Sequence, residues 1–366
     1  MFLLKLVISS SSRIQLTRNK KTKQTMCEAV RVVSDMHVGA FGNGMFETKN
    51  EQQVQAMMSY LSETQVHVEQ PSTSSNLPAS VLCLPTTTVV LGDIFELERG
   101  IPYCSTRQKQ FKELTQTTPL AAFLQTGIEQ GKYLFVRGNH DEMHFTSTMS
   151  LRAPKELLLT VQDTRIYLTH GDLADLNQSC YAACRCWSRP RWTQCLAGCC
   201  GWLWNSSSTG KCDALGCCTE KMPLFQSSYD WDRMSGINDQ QLVRYAVRKF
   251  CQAQPRRMDV VIMGHTHNAL VSRITLAASQ QEFLYANSGF SSFATSSHKI
   301  NESKSQGDTE SEVYFTETLV LVPRANAKTP LPSVLTVQSN RLVLQPDGTL
   351  QRKLIAVETM EKKSSS

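Results

Sequence analysis

The sequence predicts an α/β protein, and two observations carry that expectation. From about residue 30 onward, short β-rich runs alternate with stretches whose apolar residues recur at helical spacing. Strand after strand also stops at a glycine or an aspartate that opens a polar cluster. At 366 residues and 41% hydrophobic, the chain can bury a large core without disulfide support. No run approaches the roughly 18 to 20 apolar residues that cross a bilayer, so any membrane contact is expected from the surface.

Residues 1–25 form a basic leader, with Lys5, Arg13, Arg18, Lys20, Lys21 and Lys23 and neither Asp nor Glu. These six charges equal the whole net charge of +6, so the expected globular domain, 26–366, sums to zero. A neutral domain has no electrostatic reason to follow a phosphate backbone, and no nucleic-acid partner is expected. The leader is expected to be disordered. Its Ser-rich, acid-free composition fits an organellar transit peptide, with Met26 as an alternative start.

"AVRVVSD" reads as a buried strand ending at Asp35. A helix follows, with Val54, Met57, Met58 and Leu61 on one apolar face. "TTTVVLGD" is the next strand. Thr118-Pro119 opens a second helix with proline at its first position, and Leu120, Phe123, Leu124 and Ile128 form its stripe. "KYLFVRGN" is a strand, and "ELLLTVQDTRIYLTHGD" reads as two strands around a Gln-Asp turn. A helix over Asp239 to Cys251, with Leu242, Ala246 and Phe250 on one side, leads into "DVVIMGH". "RITLAA" and "EFLYANSG" are strands, 291–311 is a mobile polar loop, and "VYFTETLVLVP", "SVLTVQ", "NRLVLQ" and "LQRKLIAVE" close the chain as β-rich runs.

Residues 176–235 interrupt this alternation. Nine of the thirteen cysteines fall between Cys180 and Cys218, beside Trp187, Trp192, Trp202 and Trp204. Clustering in one insertion, with the rest of the chain large enough to need no staples, fits a reducing compartment better than a secreted disulfide framework. Three uses stay open: an interface with membrane or lipid substrate, aided by acylated cysteines and by Arg185, Arg189 and Arg191; ordinary packing; or an irregular Cys₄ zinc site.

Each strand end offers metal ligands: Asp35-Met36-His37, Gly92-Asp93, Gly138-Asn139-His140-Asp141, His170-Gly171-Asp172 and Gly264-His265-Thr266-His267. Five of the eight histidines sit there, and the crevice beyond strand carboxyl ends is where open α/β sheets bind ligands. A lone Asp-x-His or Gly-Asp is usually a cap or a turn; five such segments, each after a strand, converge by more than chance. Imidazoles, carboxylates and one amide oxygen without thiolate suit Mn²⁺, Fe²⁺ or Zn²⁺. Seven candidate ligands are too many for one ion and suit two that share a carboxylate, the usual arrangement for displacement at phosphorus. His67, His144 and His298 receive no role, and Arg137 stays open between a substrate phosphate and a surface pair.

In this order, D-x-H, G-D, G-N-H-D, H-G and G-H-x-H, the motifs resemble those of the calcineurin-like metallophosphoesterase family over about residues 30–290. The resemblance implies a four-layer α/β/β/α sandwich with a Cys/Trp-rich lid, 176–235. It implies that Asp35, His37 and His267 hold one divalent ion, that Asn139, His170 and His265 hold the other, and that Asp93 bridges them. His140 would face the phosphate, Asp141 would orient its ring, and a metal-bound hydroxide would attack phosphorus.

"GDIFELE" and "LTHGDLAD" are similar to the branch containing UDP-2,3-diacylglucosamine pyrophosphohydrolases, which typically has Arg where this chain has His140. The expected substrate is a phosphorylated small molecule or a lipid- or nucleotide-linked pyrophosphate. A phosphoprotein phosphatase and a degenerate metal-binding scaffold are the alternatives. The expected location is cytoplasmic, with peripheral membrane contact through the lid or organellar import if the leader is a transit peptide.

Overall fold

The computed structural model describes residues 13–15, 27–39, 51–70, 80–95, 107–141, 153–174, 225–227, 237–252, 258–291, 294–295, 313–323 and 334–361. Among these residues four helices and two mixed sheets make a mixed α/β structure. None of these helices is long and apolar enough to cross a membrane.

The eight-stranded sheet is centred on β2 (Cys27–Val33), β4 (Ser80–Leu91) and β5 (Tyr133–Val136). β4 runs parallel to both of the others. β13 (Val313–Pro323), β14 (Val334–Leu344) and β15 (Leu350–Glu361) continue from β2 as an antiparallel meander. β3 (Gln65–Gln70) pairs with β4, and β12 (Ala294–Thr295) with β13. The seven-stranded sheet has the order β1 (Arg13–Gln15), β6 (Glu156–Val161), β7 (Thr164–Thr169), β9 (Val260–Met263), β11 (Glu282–Asn287), β10 (Leu270–Leu276), β8 (Phe225–Ser227), and β9 lies parallel between β7 and β11.

The two-residue period of a strand decides what each face meets. In β2, Val30 and Val32 join Val89, Leu91, Ile166, Leu168, Val260 and Ile262 in a core shared by the two sheets. Val33 points the other way, into a cluster with Met57 and Leu61 of α1 (Glu51–Ser62) and Leu120, Leu124 and Ile128 of α3 (Pro119–Glu129). In β9 the same alternation sends Val261 and Met263 to Leu242, Val243 and Ala246 of α4 (Ile237–Gln252). α2 (Arg107–Thr117) adds Phe111 and Leu114 to the α1 and α3 side. Burying each large side chain of these kinds contributes about 1.5 to 3 kcal/mol.

Local chemistry sets the boundaries. Thr118 is extended (φ −118, ψ 109), with Pro119 at the first helical position of α3, and its carbonyl accepts from Ala122 N–H at 3.1 Å. α3 ends at Glu129 with Gln130 as its cap, and Gly131 just beyond, with φ of +66, lets Lys132 N–H return to Gly127 O at 2.8 Å. The expected Gln-Asp turn joins β6 to β7 with Gln162 at φ 52.

Some elements differ from expectation, and some expectations fall mostly outside the described residues. "SVLTVQ" and "NRLVLQ" form one strand, β14, whose register shifts at Ser339/Asn340, because a bulge absorbs the break in alternation. α2 and β3 were not anticipated; α2 is strongly polar and carries little apolar period. Of the leader 1–25, expected to be disordered, only Arg13–Gln15 are described; they pair in parallel with Leu158–Thr160, where the edge of β6 leaves backbone groups to satisfy. The lid expected at 176–235 lies outside the described residues apart from Phe225–Ser227, a short strand against β10. Of the loop expected to be mobile at 291–311, only Ser291 and Ala294–Thr295 are described, and Ser291 is buried.

Candidate metal centre

The five ligand-bearing segments leave the carboxyl ends of β2, β4, β5, β7 and β9, three in one sheet and two in the other. Adjacent parallel strands deliver their ends to the same side, which is why segments far apart in sequence meet. The exits of β2 and β4 are zipped together: Asp35 N–H donates to Gly92 O at 3.0 Å, His37 N–H to Asp93 O at 2.9 Å, and Val38 N–H to Ile94 O at 2.8 Å. The exits of β7 and β9 are joined likewise, Gly264 N–H donating to His170 O at 2.9 Å, and across the two sheets Ser291 N–H donates to Ser34 O at 3.0 Å.

The backbone is held in an uncommon conformation there. Asp35, His37, Asp93, His265 and His267 have φ of 52, 46, 51, 73 and 59°. Left-handed non-glycine residues are uncommon, cost about 1 to 3 kcal/mol each, and cluster at functional sites. Glycines supply the remaining room. A Cβ at Gly138 would lie 2.2 Å from Asp93 Oδ1, one at Gly92 2.4 Å from His170 Nδ1, and one at Gly264 2.5 Å from Asp35 Oδ2. The motif glycines are therefore places where a ligand side chain lies against backbone.

The side chains converge. Asp35, His37 and His267 form one group whose candidate ligand atoms all lie within 4.8 Å of one another, and Asp93, His170 and His265 form a second. Asp93 also groups with His37 and His140, so it stands between the two sets. His37 Nε2 is 3.2 Å from His267 Nε2, and His265 Nδ1 is 3.3 Å from His170 Nε2. Two imidazole lone pairs approach that closely only around a proton or a cation. Asn139 is buried, and its Oδ1 has no hydrogen-bond partner among the described residues. A buried amide oxygen without a donor is costly, and it is what a cation would satisfy. The donor set thus fits divalent metal.

No protein-family model matches the chain, and no curated protein does. Among solved structures, the fold is similar to vacuolar protein sorting 29 from Cryptosporidium parvum, at 11% identity over 92% of this chain and 100% of that one, with a TM-score of 0.33. It is similar to Vps29 from Chaetomium thermophilum, at 11% identity over 93% and 100%, TM-score 0.34. It is also similar to a Streptococcus pneumoniae TIGR4 protein described as a predicted phosphoesterase, at 13% identity over 90% and 98%, TM-score 0.32. These likenesses are distant, and what the site can do is decided by its own side chains.

The charges of the candidate ligands are strongly linked. Burial opposes ionisation of Asp35 and Asp93, but nearby histidines, His170 foremost, outweigh it; Asp35 is held below the usual carboxylate range and Asp93 well below. Burial would lower His170, yet the carboxylates of Asp93 and Asp35 raise it to about 10, with Nε2 at 3.0 Å from Asp93 Oδ2. Burial, then the charge of Asp93, pushes Asp141 up to about 7.

Asp141 was expected to orient the ring of His140. Its carboxylate accepts backbone N–H groups of Ile94, Phe95 and Gly138, at 3.1, 2.9 and 3.1 Å. It thereby ties the loop after β5 to the loop after β4. The ring of His140 has Asp93 Oδ2 at 3.8 Å from Nε2, while its backbone N–H donates to Asp93 Oδ1 at 2.8 Å. Phe290 lies beside His267, ring centroids 5.1 Å apart. Arg137 is fixed through its backbone N–H, which donates to Pro154 O at 2.9 Å. His144 and His298 lie outside the described residues.

Residues not singled out from the sequence support the ligands. Ser34 Oγ and Ser288 Oγ are 2.5 Å apart beneath Asp35, and Ser291 Oγ donates to Thr316 O. Asp239 and Asn287 hold the loop that carries His265 and His267. "Asn-Ser-Gly" after β11 is a sixth strand end with turn residues, a signal that was present; an acid in the first turn of α4 reads only as a favourable helix charge.

Proposed function

We propose that this chain is a metal-dependent phosphohydrolase of the calcineurin-like metallophosphoesterase type, a four-layer sandwich that cleaves a phosphoester or phosphoanhydride. The observation that carries this reading is the pair of three-residue groups, Asp35/His37/His267 and Asp93/His170/His265, with Asp93 reaching toward both. Asp35, His37 and His267 would hold one divalent ion, Asn139, His170 and His265 the other, and Asp93 both. When bound, such ions neutralise charge on a phosphoryl group and supply activated water near neutral pH.

The chain's own residues do the rest. His140 lies at the rim, partly exposed, where it can hydrogen-bond a phosphoryl oxygen or give a proton to the departing alkoxide. General-acid action of this kind contributes about 10² to 10⁴ in rate. Asp141 keeps the Asn139 loop against the Asp93 loop. The seven-ligand set with one neutral amide limits negative charge and leaves the centre electrophilic. The substrate we favour is a lipid- or nucleotide-linked pyrophosphate, with 176–235 as a lid in peripheral contact with a membrane and the protein in the cytoplasm. That preference rests on "GDIFELE", "LTHGDLAD" and the placement of the insertion.

The test is a panel of nucleoside-diphosphate lipids, phosphomonoesters, phosphodiesters and phosphoproteins, run on protein supplied with Mn²⁺. Hydrolysis of at least one class is expected, abolished by Asp93→Asn and by His265→Ala. Protein that takes up metal but turns over no member of the panel would instead be a binding scaffold.

A further inference from the structure

Asp239 sits in the first turn of α4, fully buried, and belongs to none of the ligand-bearing segments. Its carboxylate accepts four side-chain hydrogen bonds. Thr266 Oγ1 and Asn268 Nδ2 donate to Oδ2 at 3.0 and 3.3 Å, and Tyr285 Oη and Asn287 Nδ2 donate to Oδ1 at 3.1 and 2.9 Å. Asn287 Nδ2 also lies 2.8 Å from Gly264 O and 2.8 Å from Thr266 Oγ1, and Asn287 Oδ1 accepts from Gly289 N–H at 3.0 Å.

These bonds fall on alternate residues of one loop. Gly264, Thr266 and Asn268 are tied to the Asp239–Asn287 pair. Between them stand His265 and His267, the two residues whose backbones are left-handed, at φ 73 and 59. Both imidazoles take part in the candidate metal groups, and His265 N–H donates to Asp35 at 3.1 Å. A strained loop holds two neighbouring ligands in place only if its intervening residues are fixed, and the buried carboxylate supplies that fixing point.

We propose that Asp239 is a positioning residue for metal binding: through Thr266 and Asn268 it holds the loop that presents His265 to one cation group and His267 to the other. This rests on the reading of the site as a metal centre. Asparagine is its shape match but has one acceptor oxygen and turns an NH₂ toward two donors, so Asp239→Asn cannot keep all four bonds. Thr266→Val removes one of those bonds from the loop side with little change in shape.

The experiment titrates Mn²⁺ and Co²⁺ separately into metal-stripped protein and records the visible absorption of the Co²⁺ form. Asp239→Asn and Thr266→Val are expected to weaken binding about 10- to 100-fold and to shift the Co²⁺ spectrum, the usual scale for losing a group that orients ligands. Together they should lose less than the product of their separate effects. Glu317→Gln, whose carboxylate bonds Tyr60, Asn340 and Arg352 and no candidate ligand, serves as a comparator that lowers stability and leaves affinity unchanged. If both site variants bind as wild type does and lose only thermal stability, Asp239 is a helix staple and the proposal falls. A wild-type chain that binds neither metal overturns the reading of the site as well as this inference.

Discussion

At His170, burial and two carboxylates pull in opposite directions. The carboxylates win, so its imidazolium persists to about pH 10 in metal-free protein. A raised histidine contributes stability fully present below its unfolded value of 6.5 and lost as pH rises through about 10. Metal must displace that proton, so metal affinity rises with pH over the same window. Metal-stripped protein should therefore lose Tm between pH 7 and 10, while the stabilisation added by Mn²⁺ grows. A metal-free Tm that stays flat across that range would contradict the charge balance. Asn139 shows the complementary point: its identity was legible in Gly-Asn-His-Asp, but its unpartnered oxygen was visible only once the loops had met.

Among the elements, α3 and β5 show one steric contact outweighing a local preference. Gly127 lies mid-helix, where alanine would be better by about 1 kcal/mol. A Cβ there would stand 2.1 Å from Tyr133 Cε2, in a contact that Phe123 closes from the side at a centroid distance of 6.1 Å. Overpacking costs about 1 to 3 kcal/mol, so Gly127→Ala is expected to destabilise by about 0.5 to 2 kcal/mol in denaturant unfolding. A stabilised variant would mean that the ring moves freely. The apolar stripe of α3 could be read from sequence, and so could its proline start; the requirement for glycine could not, because Tyr133 comes from the following strand. β14 is the same lesson in a sheet, where neighbouring strands carry pairing across a break in alternation.

Across the whole molecule, a buried charge network ties the eight-stranded sheet to α1. Glu317 accepts from the Tyr60 hydroxyl, from Arg352 Nε at 2.5 Å and from Asn340 Nδ2 at 3.1 Å, with Arg31 Nε at 4.0 Å. Arg31, fully buried, also donates to Tyr60 O at 2.8 Å. Removing one partner of a buried pair costs about 3 to 5 kcal/mol, so Glu317→Gln should lower unfolding free energy by about that amount. Replacing Arg31 and Glu317 together with Met and Leu should recover much of it. A double-variant loss equal to the sum of the two single losses would show that the pair is not coupled.

The sequence by itself determined which residues are candidate metal ligands and where they stand along the chain. Each motif is local: a β-rich run, a glycine, then Asp, Asn or His, all set by short-range geometry. Only the tertiary structure decided which loops touch, which candidate ligands lie around Asp93, and that Ser34 meets Ser288 and Asp239 meets Asn287 beside them. Those partners lie on different strands and helices, and no local period records a hydrogen bond from residue 239 to 266 or a short contact from 34 to 288. Asp141 is the clearest case: its place beside His140 was plain, while its bonds to Ile94 and Phe95 required two parallel strands to end side by side.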